Sequence, residues 1–385
     1  MINMTDWLDG AAATARLGVK PQTLYAYASR GRVEARPDPD DSRRSLYRAE
    51  DIDRLVRSKL RGRRPADVAE GAMAWGEPVL ASAITAIQGG RLYYHGADAA
   101  GLADTETLEQ VALRLWGCRD PDVFARTTGP RVRLKGSALA RTLAAMAMRA
   151  GVDAPAAGRA PAGLWREGAG LLADLAGALG DGVTPEPLHL MLASAWGLEA
   201  GRADVIRRAL VLLADHELNA STFAARVAAS TGASLAAAVL AGLATLSGPR
   251  HGGAGARVSA LIEEAGRIGP EAAARAWLER GEFPAGFGHP LYPQGDPRAA
   301  SLFGAFDPGP ELQALKAAGE QLTGQPANID FALAAMTRAL SLPDDAPLAL
   351  FALGRSAGWI AHALEQLQTG ALIRPRARYV GPAVG

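Results

Sequence analysis

The chain has 385 residues, 49% hydrophobic and 21% charged, the mix of an ordinary globular protein. At roughly 150 residues per domain this allows two or three domains and excludes a disordered, collagen-like or disulfide-stapled chain. Forty-one basic against 40 acidic residues leave +1, too little for a global field that attracts nucleic acid or a membrane. The single cysteine, Cys118, forms no intramolecular disulfide and no cysteine-based zinc site, which fits a reducing cytoplasm.

Charge is segregated along the chain. Residues 1–64 hold 14 Lys/Arg and 9 Asp/Glu, a local net of +5, so they read as a separate unit. A first helix is predicted over Asp9–Leu17, stopped by Gly18. Pro21 opens a second, running through Leu24, Tyr25 and Tyr27 to Arg30 and ended by Gly31. Val33–Ala35 and Ser45–Tyr47 are strand-like, separated by the turn-rich tip Pro37 to Arg44, and a third helix is expected over Ala49–Leu60.

Helix, glycine turn, helix and basic-tipped hairpin resemble the MerR-like winged helix-turn-helix. The resemblance implies a DNA partner, with Lys20, Gln22, Thr23 and Tyr27 at a major groove and Arg43 and Arg44 on phosphates. The competing reading is a small helical domain that packs on a neighbour or binds protein. Arg54, Arg57, Lys59, Arg61, Arg63 and Arg64 add phosphate contacts in the first reading and form a solvated face in the second.

From Pro65 onward helical periodicity dominates. Leu108, Val111, Ala112 and Leu115 share one face, as do Leu171, Leu175 and Leu179, and Val205, Ala209, Leu212 and Leu213. Loops are marked at Asp120–Pro130, Asp153–Gly163 and Gly182–Pro187. The longest uncharged run, Val227–Pro249, is diluted by Ser, Thr and Gly and reads as a buried helix rather than a membrane span. The body is expected to be all-α.

Of six histidines, three have unusual neighbours. His216 lies in Asp215-His216-Glu217-Leu218-Asn219-Ala220-Ser221-Thr222, His251 in Gly248-Pro249-Arg250-His251-Gly252-Gly253-Ala254, and His289 in Gly286-Phe287-Gly288-His289 ahead of Asp296-Pro297-Arg298. Glycines let backbone and substrate approach closely, and helix N-termini favour neutral imidazole and anions. No His-x-x-x-His or His-Glu-x-x-His spacing exists, so no metal is expected. Asp330, in Asn328-Ile329-Asp330-Phe331, reads by itself as a helix N-cap. His95, His189 and His362 receive no role.

With Gly354-Arg355-Ser356-Ala357-Gly358-Trp359-Ile360-Ala361-His362 and Arg374-Pro375-Arg376, these stretches make residues 66–385 resemble the citrate synthase family. The resemblance implies an all-α homodimer. A large domain would span 65–252 and 346–385, a small domain 253–345, and the winged module 1–64. It implies condensation of oxaloacetate with acetyl-CoA, without a metal or cofactor. Asp330 would be the base, His251 the donor to the thioester carbonyl and His289 the acid at the ketone. His216, Arg298 and Arg355 would hold oxaloacetate, with Arg374 reaching in from the partner subunit.

Two departures stand out. Where the family reads Gly-His-Arg-Val-Tyr-Lys, this chain reads Gly288-His289-Pro290-Leu291-Tyr292-Pro293, so two basic residues expected near CoA are prolines. Arg250 replaces the Leu that precedes the first catalytic histidine. The alternatives are a 2-methylcitrate synthase using propionyl-CoA, and a DNA-binding regulator that senses oxaloacetate or an acyl-CoA through a synthase-like body.

Overall fold

The computed structural model describes residues 7–29, 33–39, 41, 44–53, 55, 80–125, 134–180, 187–281, 286–377 and 379–382. Two compact units result: Met1–Ala81 with Arg376–Gly385, and Ser82–Pro375. This division follows compactness, whereas the expected limit at residue 64 followed charge. Arg43, Gly31, the basic cluster at 54–64 and most of the 182–187 loop lie outside the described residues.

In the first unit, Asp9 caps α1 (Gly10–Leu17) by accepting the Ala12 N–H at 2.7 Å, and Gly18 ends it at φ 58°. Helix α2 spans Pro21–Ser29. Strands β1 (Trp7–Asp9), β2 (Ala35–Pro37) and β3 (Ser45–Arg48) form an antiparallel sheet in the order β1-β3-β2. Tyr47 lies opposite both Leu8 and Ala35. Ala13, Leu17, Leu24, Val33, Tyr47 and Ile52 make the core. The strand expected from Val33 therefore begins two residues later. Val33 is a core plug, and the Glu34 N–H is taken by the Asp51 carboxylate at 2.9 Å.

The second unit is mostly helical, but the all-α expectation misses a three-stranded antiparallel meander. It comprises β4 (Thr85–Gln88), β5 (Arg91–Tyr94) and β6 (Ala97–Asp98). Leu92 and Tyr94 are buried and alternate with Arg91 and Tyr93, a period-two pattern only four residues long. Helices α3 (Ala99–Thr105), α4 (Leu108–Leu115), α5 (Ala138–Ala150), α6 (Pro161–Leu179), α7 (Leu188–Ala195) and α8 (Ala203–Leu213) follow.

The uncharged run is not one helix. It contains the end of α9 (Ala220–Ser230), a turn with Gly232 at φ 82°, and α10 (Leu235–Leu246), capped by the Ser234 hydroxyl. Twelve residues of helix reach about 18 Å, and among the described residues no helix is long and apolar enough to cross a membrane.

Then come α11 (Ala254–Ile268), α12 (Pro270–Glu279), α13 (Pro297–Phe303), α14 (Gly309–Thr323), α15 (Ile329–Ala339) and α16 (Ala346–Thr369). The unit has two apolar cores. The larger gathers α3–α10 and α16; the smaller gathers Val258, Leu261, Trp277, Phe287, Leu315 and Phe331 with their neighbours. Helix α15 serves both, turning Ile329, Leu333 and Met336 to the first and Phe331, Ala334 and Ala335 to the second. Its N-terminus, which carries Asp330, therefore stands at the junction of the cores.

Candidate active site

Apart from Arg355, which lies within α16, the site is assembled from the ends of helices and the turns between them. His216 follows α8, in the turn before α9. Helix α16 comes close enough to shape that turn because Gly358 has no side chain: a Cβ there would lie 2.3 Å from Asp215 Oδ1. The Gly358 N–H donates to Ala214 O at 2.9 Å, and Tyr94 OH reaches Val211 O, Leu212 O and Asp215 O at 3.1–3.2 Å. His216 is buried, its Nε2 is 2.9 Å from Tyr292 OH, and its ring meets that of His289 edge-on at 5.1 Å. Burial, with Arg298 and Arg355 nearby, holds His216 far below the usual imidazole range, so it is neutral.

His251 sits in the tight turn between α10 and α11. Gly252 is required there, because a Cβ would come within 2.2 Å of Leu246 O. His251 Nε2 is 2.7 Å from Ser221 Oγ, which also accepts from Trp359 Nε1 at 3.2 Å. Burial, followed by the Arg355 charge, lowers His251 to about 4. Its Nδ1 has no bond among the described residues.

His289 and Asp330 are stitched together through the backbone. Gly288 N donates to Pro326 O at 2.8 Å, Asn328 N to Gly286 O at 2.9 Å, and Asn328 Nδ2 to Gly288 O at 3.0 Å. Asn328 Oδ1 accepts the Asp330 and Phe331 N–H groups at 3.0 and 3.3 Å, so Asn328 is the N-cap of α15. The N-cap reading of Asp330 is thereby overturned, and its carboxylate has no hydrogen bond among the described residues. Burial pushes Asp330 up to about 6, although Arg298 and Arg355 pull against it. His289 Nδ1 accepts the Leu291 N–H at 3.2 Å, which places the neutral ring's proton on Nε2. Burial and Arg298 lower His289 to about 4.

The two buried arginines differ. Arg298 is held twice by Asp296, Nε to Oδ1 at 2.9 Å and a terminal nitrogen to Oδ2 at 2.8 Å. Asp296 Oδ2 also accepts the Ile329 N–H at 3.0 Å, so one carboxylate fixes both Arg298 and the residue before Asp330. Among the described residues Arg355 donates only to Leu213 O, 2.9 Å from Nε, and its Nη2 is buried without a partner. Burial lowers Arg355 to about 10, still charged at neutral pH. A half-satisfied buried guanidinium beside a second one suits an anion with more than one carboxylate.

His216, His251, His289, Arg298, Asp330 and Arg355 therefore come together. Arg374 does not join them in this chain; it is exposed in the extended segment after α16. In the first unit, Lys20 and Gln22 are exposed, Thr23 is half-buried, Tyr27 packs against the core, and exposed Arg44 pairs with Asp41 at 3.2 Å. Sequence reasoning missed Ser221, Tyr292, Asp296 and Asn328 as orienting residues. The polar stretch from Asp215 to Thr222 was the one signal for Ser221. Tyr292, 76 positions from His216, had none.

Comparison with known proteins agrees with this geometry. The model of the citrate synthase C-terminal domain matches residues 140–376. Citrate synthase 2 of Bacillus subtilis is 38% identical over 193 residues, covering 46% of this chain and 51% of that protein. The 2-methylcitrate synthase 1 of Corynebacterium glutamicum is 35% identical over 217 residues, covering 52% and 56%. The crystal structure of citrate synthase from Thermotoga maritima superposes with a TM-score of 0.65 at 25% identity, covering 80% of this chain and 95% of that one. The chain spans about half the length of the curated relatives it matches.

Proposed function

This chain belongs to the citrate synthase family, and from that premise we propose that it condenses oxaloacetate with acetyl-CoA to give citrate and CoA. The observation that carries the reading is Asp330: a carboxylate raised to about 6, with no hydrogen bond among the described residues, tied through Asn328 to the turn before neutral His289 and within the field of two buried arginines. Thioester α-protons are weakly acidic, so a carboxylate removes one only where the developing enolate is neutralised. Asp330 takes the proton. His251, its Nε2 held 2.7 Å from the Ser221 hydroxyl, is the hydrogen-bond donor to the thioester oxygen. The enol carbon then attacks the ketone carbon of oxaloacetate, and the ketone oxygen takes the His289 Nε2 proton. Water finally cleaves the citryl thioester, releasing citrate and the CoA thiol.

Arg298, Arg355 and His216 hold oxaloacetate, and Arg374 completes the site of the second subunit in a homodimer. Holding the substrates in line supplies up to roughly 7–11 kcal/mol of the barrier. The smaller core, within 253–345, belongs to a small domain that closes on a large one (65–252 and 346–385) and keeps water off the enol. The compartment is the cytoplasm.

A second acyl group, propionyl, is supported by the likeness to a 2-methylcitrate synthase. The first unit is a MerR-like winged helix-turn-helix that binds DNA. Its α1–Gly18–α2 turn, the β2–β3 hairpin and exposed Lys20, Gln22 and Arg44 support this, and a dimeric body supplies paired half-sites. In that role the synthase-like body senses oxaloacetate or acyl-CoA. The test is thiol release with oxaloacetate and either acetyl-CoA or propionyl-CoA, with Asp330→Ala as control. Turnover lost in the variant supports the synthase, and the ratio of the two rates assigns the acyl group. A folded wild type inactive with both contradicts it.

A further inference from the structure

Beneath the His216 turn runs a buried polar chain that the proposed chemistry does not use. Asp215, His362, Arg226 and Gln366 are all buried. Arg226, on α9, donates from Nε to Gln366 Oε1 at 3.1 Å and from Nη1 to His362 Nδ1 at 3.0 Å, and pairs with Glu365. A guanidinium only donates, so His362 Nδ1 is the bare nitrogen and the neutral ring's proton is on Nε2. From there it points at Asp215 Oδ2, 3.4 Å away. Burial would raise Asp215, but His362 and Arg355 outweigh it and keep the carboxylate ionised.

Both ends of this chain lead to residues that the proposed reaction needs. Asp215 Oδ2 also accepts the Glu217 N–H at 3.1 Å, and Glu217 stands at φ 55°, a conformation a non-glycine residue holds only when its surroundings impose it. His216 lies between the two. At the other end Gln366 Nε2 donates to Thr369 Oγ1 at 3.1 Å and Ala371 O at 2.9 Å, the root of the segment that carries Arg374.

We propose that Asp215, His362, Arg226 and Gln366 form a positioning relay for oxaloacetate, holding the His216 turn at one end and the base of the Arg374 segment at the other. Buried networks of this kind act as units, so one unsatisfied member loosens the rest. The proposal rests on the reading of oxaloacetate as substrate. Its test therefore measures oxaloacetate binding by calorimetry as well as turnover by thiol release, on the full chain. Wild-type protein that binds oxaloacetate without turnover would contradict the condensation while leaving the relay open to test by affinity.

His362→Leu removes both hydrogen bonds. It is expected to weaken oxaloacetate binding by about tenfold or more, with the KM for acyl-CoA unchanged. His362→Gln restores an acceptor and a donor at similar spacing and is expected to return most of that affinity. Gln366→Leu removes the bonds to Arg226, Thr369 and Ala371 but leaves the Asp215–His362 contact in place, and is expected to raise the oxaloacetate KM less. If His362→Leu fails to fold, Asp215→Asn gives the same comparison, because it keeps an acceptor for Glu217 and removes the charge facing His362. A lower melting temperature with unchanged oxaloacetate affinity in the folded variants, or a Gln variant as impaired as Leu, overturns the relay.

Discussion

Arginine is the main basic residue of both units, and beside exposed pairs such as Arg91–Asp98 the second unit holds three in a setting the first does not show among the described residues. In the first unit Arg16, Arg44 and Arg48 are exposed and each faces an acid: Asp53, Asp41, and Glu34 with Glu50. In the second unit Arg226, Arg298 and Arg355 are nearly stripped of solvent. Arg298 and Arg226 are held by acidic or polar side chains, whereas Arg355 reaches only a backbone carbonyl among the described residues. A surface ion pair is screened and contributes little, whereas a buried, half-partnered guanidinium is a binding site in waiting. Residue type alone does not separate these settings; burial and partner count do.

The comparison can be broken or sharpened by substitution, beginning with the chemistry that the buried arginines serve. Asp330→Ala is expected to lower kcat by roughly 10²–10⁴-fold, the range of a lost general base, in a thiol-release assay. His251→Ala removes the donor to the enolate oxygen and is expected to cost about 10²–10³-fold in kcat. Arg355→Leu should act on binding: the KM for oxaloacetate rises about 10–100-fold, the worth of one or two charge-assisted hydrogen bonds, with little change for acyl-CoA. A smaller effect than that of Arg16→Ala would dissolve the contrast between the units. Replacing Arg16 removes an exposed pair with Asp53 and is expected to change unfolding free energy by roughly 0.2–1 kcal/mol in denaturant titration, with turnover unaffected.

Much of the site was legible because its residues stand in short, glycine-rich or polar interruptions of apolar helices. His251 and His289 are flanked by glycines whose absent side chains the structure explains, at Gly252 and Gly288. Asp330 was legible as a candidate, but which residue caps α15 was not: Asn328 and Asp330 are both good caps, and only the bonds to Asn328 Oδ1 decide. Ser221 and Tyr292 escaped notice because their value lies in partners 30 and 76 positions away. Asp296 was read as part of a motif, without its bond to Ile329 on another helix. The meander at 85–98 was lost because its strands are too short to show a period.

The central claim is that Asp330, raised by burial, is the base. The pH dependence of kcat/KM for the acyl-CoA tests it most directly. An acid raised from its ordinary value to about 6 is ionised, and active, above that pH, and is lost on protonation below it. The histidines, lowered to about 4, stay neutral throughout that window. The account predicts a rate constant on a plateau near neutrality that falls about tenfold per pH unit below about 6, and a residual rate in Asp330→Ala without that inflection. A wild-type profile flat down to pH 4.5, or the same inflection kept in the Ala variant, would contradict it.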